Sequence, residues 1–226
     1  GGTFRIPSDR LDAAAASLLE VSASVVLDDR RPIAAQLERL DDRPARLPAF
    51  VATPDARPVA AHPGAPRPPN LLRDNGFGGV AAEGRAYVIH VVPGHPTPAP
   101  WGNMLANPDF GCFVSESGSG WTWARSSAEN RLSPWRNDPV RDDPGEALYL
   151  RDEESGVVWT PTTLPAGDGA DVTVRHAPAA TTFERRSHGL EQELRVWVAS
   201  DDPVKFVSLR IANLEDRPRR LTATYY

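Results

Sequence analysis

Lysine is almost absent from this 226-residue chain; Lys205 is the single one, and arginine supplies the rest of the positive charge. The arginines are dispersed, and the formal net charge is −5. Without a basic tract or a surplus of positive charge, nucleic acid is excluded as the expected partner. Arginine and alanine in place of lysine read as a high-GC genomic bias and carry no functional information. Cysteine is equally scarce. Cys112 stands alone, so no internal disulfide can form. Within "FGCFV" it reads as a small apolar strand residue rather than a nucleophile. No apolar run approaches a membrane span, and "GGTFRIPSDR" has no hydrophobic signal core. The first residue is not Met, and "RRLTATYY" stops inside a strand pattern. The chain is therefore expected to be a piece of something longer.

What is plentiful is punctuation. Proline at 23 and glycine at 17 favour many short strands over long helices. Only the N-terminal part reads as helical. Residues 8–29 carry Leu11, Ala15, Leu18, Leu19, Ser22, Val25 and Val26 on one stripe, with Ser8 as the expected N-cap. A second short helix is expected over 33–40, after Pro32. Residues 41–69 hold dense proline and little periodicity, as an extended connector does. The domain boundary is placed near Asn70, giving a helical and Pro-rich connector over 1–69 and a β domain over 70–226.

From Asn70 onward, alternation and turns dominate. "EGRAYVIHVV", "FGCFVSE", "GWTWAR", "DVTVRHAP", "TTFERRSHG", "LEQELRVWVA", "VKFVSLRIANL" and "RRLTATYY" each read as strands. "EALYLRDEESGVVWTP" reads as a hairpin turning at Glu154-Ser155-Gly156. In "LEQELRVWVA", Leu194, Val196 and Val198 share one face, while Glu193, Arg195 and Trp197 share the other. Without βαβ alternation or a fixed repeat, the expected fold is mainly β: a large antiparallel β-sandwich.

Several motifs carry candidate chemistry. "DNGFGGV" (74–80) is not a dinucleotide fingerprint; it reads as a tight turn before the strand at Tyr87 or as a backbone loop close to a ligand. His90 and His95 flank "VVPG" without a third ligand at metal spacing, so no metal site is expected. "SESGSG" lacks the strand–helix setting of a serine nucleophile and reads as a polar turn. Glu116, Glu129, Asp138, Asp142, Asp143, Glu146, Asp152, Glu153 and Glu154 cluster in sequence, yet spacing alone singles out no catalytic pair. The densest stretch is "SGSGWTWARSSAENRLSPWRNDPV" (117–140). Trp121 and Trp123 alternate and share a sheet face, as core residues or as part of a ligand surface. Trp135 lies in a polar loop beside Arg131, Asn137 and Asp138. Trp covers the C–H face of a sugar ring, while Arg, Asn and Asp bond its hydroxyls. A sugar-facing loop, a catalytic loop and an ordinary hairpin tip all remain open from these residues.

The order "NGFGG", "GRAYVI", "TPAPWGNMLANPDFG", "ESGSGWTW", "ENRLSPWRNDPV", "GEALYLRDEESGVVW" and "DDPVKFVSLRIAN" resembles glycoside hydrolase family 94, formerly glycosyltransferase family 36. Its members include the phosphorylase-like module of cyclic β-1,2-glucan synthases and the cellobiose and chitobiose phosphorylases. The resemblance covers about residues 70–226 and implies a galactose-mutarotase-like supersandwich. It further implies a following α/α toroid that carries the general acid and holds inorganic phosphate, the co-substrate. On that basis this chain has no catalytic residue, no metal and no cofactor of its own. Its implied partners are a β-glucan oligosaccharide, the toroid and a second copy in a homodimer. The implied location is the cytoplasmic side, with anchoring to an inner membrane through other segments. A sandwich loop reaches toward an active site in the family, often across a dimer interface. "ENRLSPWRND" matches it, which makes Glu129, Asn130, Arg131, Trp135, Asn137 and Asp138 the expected sugar or interface contacts.

Overall fold

The computed structural model describes residues 7, 11–23, 27–40 and 66–226. The chain divides into two units, Gly1–Ala52 and Thr53–Tyr226. In the first, helix α1 spans Ala13–Ser22 and helix α2 spans Ile33–Leu40. The first helix is shorter than the expected 8–29. Asp12, not Ser8, is the N-cap, its carboxylate accepting from Ala15 N at 2.7 Å. Ser8 lies outside the described residues, as do Val25 and Val26 and most of the Pro-rich stretch. At the other end the Ser22 hydroxyl donates to Leu18 O at 2.6 Å, a back-bond that competes with the helix ladder, and Ala23 is extended. The second helix follows Pro32, which suits a helix start. No residue of α1 is buried. No helix among the described residues is long and apolar enough to cross a membrane.

The second unit is built from β1 (Gly78–Val80), β2 (Tyr87–Val91), β3 (Gly102–Ala106), β4 (Phe110–Ser115), β5 (Gly120–Ala124) and β6 (Leu148–Asp152). It continues with β7 (Val158–Trp159), β8 (Val172–Ala177), β9 (Ala180–Ser187), β10 (Leu190–Val198), β11 (Lys205–Asn213) and β12 (Leu221–Tyr225). A six-stranded antiparallel sheet runs β1-β2-β8-β9-β10-β11. Two three-stranded sheets, β3-β4-β5 and β12-β6-β7, complete the unit.

The core residues show how these sheets stack. Ile89, Val174, Phe183, Leu194 and Val196 of the large sheet join Leu105, Cys112 and Val114 of β3 and β4 in one apolar cluster. Leu190 of β10 joins Leu150 and Trp159 of β6 and β7 in a second. Leu190, Leu194 and Val196 have the same parity along β10, so both small sheets cover the same face of the large one. This is the expected sandwich, with its second layer split in two. Burial of a side chain such as Phe183 contributes about 1.5–3 kcal/mol.

Two strands escaped the sequence reading. "DNGFGGV" contains β1 rather than only a turn, and its glycines serve close backbone approach: a Cβ on Gly78 would lie 2.2 Å from Val88 O. "GNMLA" forms β3, whose alternation is hidden by glycine and asparagine; Asn103 instead donates to Ala177 O at 2.8 Å.

Candidate functional site

The register of the β3-β4-β5 sheet sorts its residues onto two faces. Cys112 is opposite Thr122, and Cys112 belongs to the sandwich core. Gly111 opposite Trp123 and Phe113 opposite Trp121 therefore point to the outer face. Yet Trp121 and Trp123 are only 5% and 8% exposed. The two ring centres lie 4.5 Å apart, and the loop that follows β5 covers Trp121. Trp135 stacks on Trp121 with ring centres 4.9 Å apart and planes 26° apart. The Arg131 guanidinium lies 5.6 Å from the Trp121 ring centre and 5.3 Å from that of Trp135. Such contacts add about 0.5–2 kcal/mol each. Gly111 is required beneath this layer, since a Cβ there would lie 2.4 Å from the Trp123 ring.

Backbone bonds seat the loop. Leu132 N donates to Thr122 O at 2.8 Å, and Thr122 N donates to Ser133 Oγ at 2.8 Å. Ala124 N donates to Asn130 O at 3.1 Å, and Arg131 Nε to Ser127 O at 3.1 Å. Residues 131–133 thus run beside β5 as a short added edge. Beyond Trp135 the chain turns through Asn137, whose φ of 51° is left-handed, a conformation asparagine tolerates. Asp138 Oδ1 accepts from Val140 N at 3.0 Å and Arg141 N at 3.1 Å. The Arg141 and Val140 amide bonds hold its carboxyl below the usual carboxylate range.

The structure thus brings Arg131 and Trp135 together on Trp121, while Asn137 and Asp138 build the next turn. Trp135 is half-buried, with one ring face on Trp121. Arg131 gives its cation to two rings, and Asp138 gives its carboxylate to backbone amides. The outward-facing members are Glu129, Asn130, Arg136 and Asn137, all exposed.

On the inner face lies a network that the sequence reading missed. Glu146 pairs with Lys205 and accepts from Thr122 Oγ1 and, at 2.6 Å, from Tyr225 Oη. Burial raises the Glu146 carboxyl, but the Lys205 charge and the hydrogen bonds of Lys205, Ser133 and Thr122 outweigh it and hold the group at about 2. Burial, and then the Glu146 carboxylate, push the Tyr225 phenol up. The signal available in the sequence was Lys205 itself, the single lysine, at the start of a strand. Cys112 lies nearby; burial pushes its thiol up to about 11, so it is not a thiolate nucleophile. His90 contacts Asp171 at 3.4 Å, and His176 Nε2 bonds Trp101 O at 3.1 Å, each as part of the fold. Among the described residues no group of three His, Cys, Asp or Glu side chains could hold a metal.

A split two-layer antiparallel sandwich whose outer sheet carries a tryptophan-stacked loop defines a class, the β-supersandwich domain. Residues 85–226 match the glycosyl hydrolase 94 supersandwich domain, and the chain belongs to that family. It is similar to the cyclic beta-(1,2)-glucan synthase NdvB of Rhizobium meliloti (strain 1021), 39% identical over 153 residues, or 67% of this chain and 5% of that protein. It is also similar to the N,N'-diacetylchitobiose phosphorylase of Vibrio furnissii, 29% identical over 140 residues, or 61% of this chain and 18% of the relative. The solabiose phosphorylase of Paenibacillus borealis is 28% identical over 155 residues, or 65% of this chain and 19% of the relative. The chain therefore spans less than a fifth of the length of these relatives.

Proposed function

We propose that this domain serves a glucan-processing enzyme of family 94, in which it shapes access of a β-glucan oligosaccharide to a catalytic centre outside this chain. The general acid and the phosphate co-substrate belong to that centre, in an α/α toroid. The loop 129–138 is the contact element, either to the sugar directly or across a homodimer interface. The observation that supports this most is the tryptophan–arginine stack. It fixes the loop on the sheet and leaves Glu129, Asn130 and Asn137 facing outward, so hydroxyl-bonding groups are presented from a rigid base. In this reading the domain sits on the cytoplasmic side, with membrane anchoring supplied by other segments.

The test is a triple substitution, Glu129→Ala, Asn130→Ala and Asn137→Gly, in the full-length enzyme. These side chains are exposed, so folding should survive. Phosphorolysis or transglycosylation should fall at least about tenfold in kcat/KM, equivalent to about 1.4 kcal/mol. Unchanged kinetics would remove the loop from substrate access.

A second reading makes the domain an interface element without sugar contact. Leu132 at 59%, Met104 at 58% and Val140 at 91% exposure support it. Concentration-dependent sedimentation of the isolated chain, abolished by Val140→Asp, together with unchanged kinetics of the triple variant, favours the interface reading.

A further inference from the structure

The "SESGSG" turn is more than a connector between β4 and β5. Three separate loops are pinned to it. Glu116 Oε2 accepts from Trp101 N at 2.6 Å and its other oxygen accepts from Thr97, which fixes the 93–101 loop. Ser115 Oγ donates to Asp142 Oδ2 at 2.6 Å and Ser117 Oγ donates to the same oxygen, which fixes the 139–142 loop. Ser117 O accepts from Leu164 N at 3.0 Å and from Thr163 Oγ1 at 3.2 Å, which fixes the 163–170 loop. Gly118, with φ 92°, is obligatory, because a Cβ there would sit 2.4 Å from Thr162. Between the three loops opens a cleft of about 710 Å³, within the usual range of ligand pockets, about 300–1,000 Å³.

The chemistry of the cleft is one-sided. Pro93, Pro96, Pro98, Pro100 and Pro139 line it and contribute C–H surface and carbonyls but no N–H. Its hydroxyl donors are committed: Thr97 to Glu116, Ser117 to Asp142 and Thr163 to Ser117 O. Its cations each lie beside a carboxylate. Arg185, 2% exposed, is paired with Asp168 and donates to Thr160 O at 2.7 Å, and Arg141 lies 3.3 Å from Asp143. Arg185 Nε has no partner but is sealed from solvent. One acceptor remains: among the described residues nothing donates to Asp142 Oδ1, whereas both Glu116 oxygens already accept. Burial first, and Asp142 last among the causes, raise the Glu116 carboxyl, so the site already resists added negative charge. A ligand that fits must bring donors, offer C–H faces and carry no anionic charge.

We propose that this cleft is a binding site for a neutral oligosaccharide, distinct from the 129–138 loop, with sugar hydroxyls donating to Asp142 Oδ1 and sugar C–H faces lying on the proline wall. The location rests on the cleft alone; the choice of a saccharide among neutral donors rests also on the family reading above.

The test is amide NMR of the 226-residue chain titrated with linear β-1,2-linked glucose oligosaccharides, with inorganic phosphate and calcium chloride as separate probes. Saturable shifts at Gly94, Gly167 and Gly169 are expected with the oligosaccharide. Ala170→Trp, which fills the cleft, should weaken them at least about tenfold, or about 1.4 kcal/mol. Trp135→Ala should leave them in place. Should Ala170→Trp fail to fold, Asp142→Asn preserves shape and backbone while turning the free acceptor into a donor, and should weaken binding several-fold. Shifts confined to 129–138 overturn the cleft and transfer sugar recognition to the loop. Glycine shifts with phosphate or calcium but not sugar overturn the ligand class. No response to sugar in the folded chain overturns the site, while the kinetic test of the loop in the full-length enzyme stands or falls separately.

Discussion

The same two strands, β4 and β5, present two differently made faces. Inward, Cys112 and Val114 meet Phe183, Leu194 and Val196 from strands far along the chain. Outward, Trp121 is covered by the chain that follows it, through Arg131 and Trp135, and Trp123 lies against Trp121. The inner face is stabilised by long-range apolar packing, the outer by a local stack of aromatic and guanidinium groups. Damage to the first is expected to unfold the unit, and damage to the second to free a loop.

The largest effect is expected from Phe183→Ala. It empties a site 1% exposed at the centre of the inner cluster and should cost about 3–5 kcal/mol in urea unfolding, with the whole unit melting as one. If only a local region loosened, the division into two faces would fail.

Next is Glu146→Gln, which leaves Lys205 beside the inner face without its charge partner. A loss of about 3 kcal/mol is expected. The pH dependence has a definite sign. The folded carboxyl is held at about 2, below its ordinary 4.5, so the stabilisation is fully present above about 4.5 and disappears as pH falls through about 2. Acid unfolding of the wild type, set against the variant, checks the window.

Trp135→Ala sharpens the contrast from the other side. It should cost about 1–2 kcal/mol, because half-buried aromatic area and one ring stack are lost. Amide exchange should quicken over 125–140 while β9 and β10 stay protected. Arg131→Ala is expected to be the mildest, about 0.5–1 kcal/mol, with the same regional signature.

Much of this architecture was legible in the sequence because period-two alternation is a local signal. The strands around Tyr87, Leu194 and Val207 announce themselves, and the Glu154-Ser155-Gly156 turn joins β6 and β7 as expected. What stayed hidden depends on pairing. β1 is disguised by Gly78 and Gly79, and their reason lies in the backbone of Val88 across the sheet. That β12 pairs with β6 and not with its sequence neighbour β11 has no local trace. The helix 8–29 was overextended because its apolar stripe continues past Ser22, where the side chain bonds back to Leu18. The outer loop was legible as unusual, but its side-chain roles were not. Composition marks Trp135, Arg131 and Asp138 as sugar-binding types; only the fold reveals that all three also have structural partners. The cleft at "SESGSG" was invisible, since Glu116, Asp142 and Thr163 meet through the fold alone.

The most direct test of the account is hydrogen exchange, read peptide by peptide across the isolated chain. With Trp135 stacked on Trp121, the amides of Leu132, bonded to Thr122 O of β5, and of Asn130, bonded to Ser126 O, should exchange slowly, and Trp135→Ala should release them without affecting β4. Exchange of 125–140 at the rate of an unstructured chain in the wild type would contradict the fixed outer loop, and with it the presentation of Glu129, Asn130 and Asn137 from a rigid base.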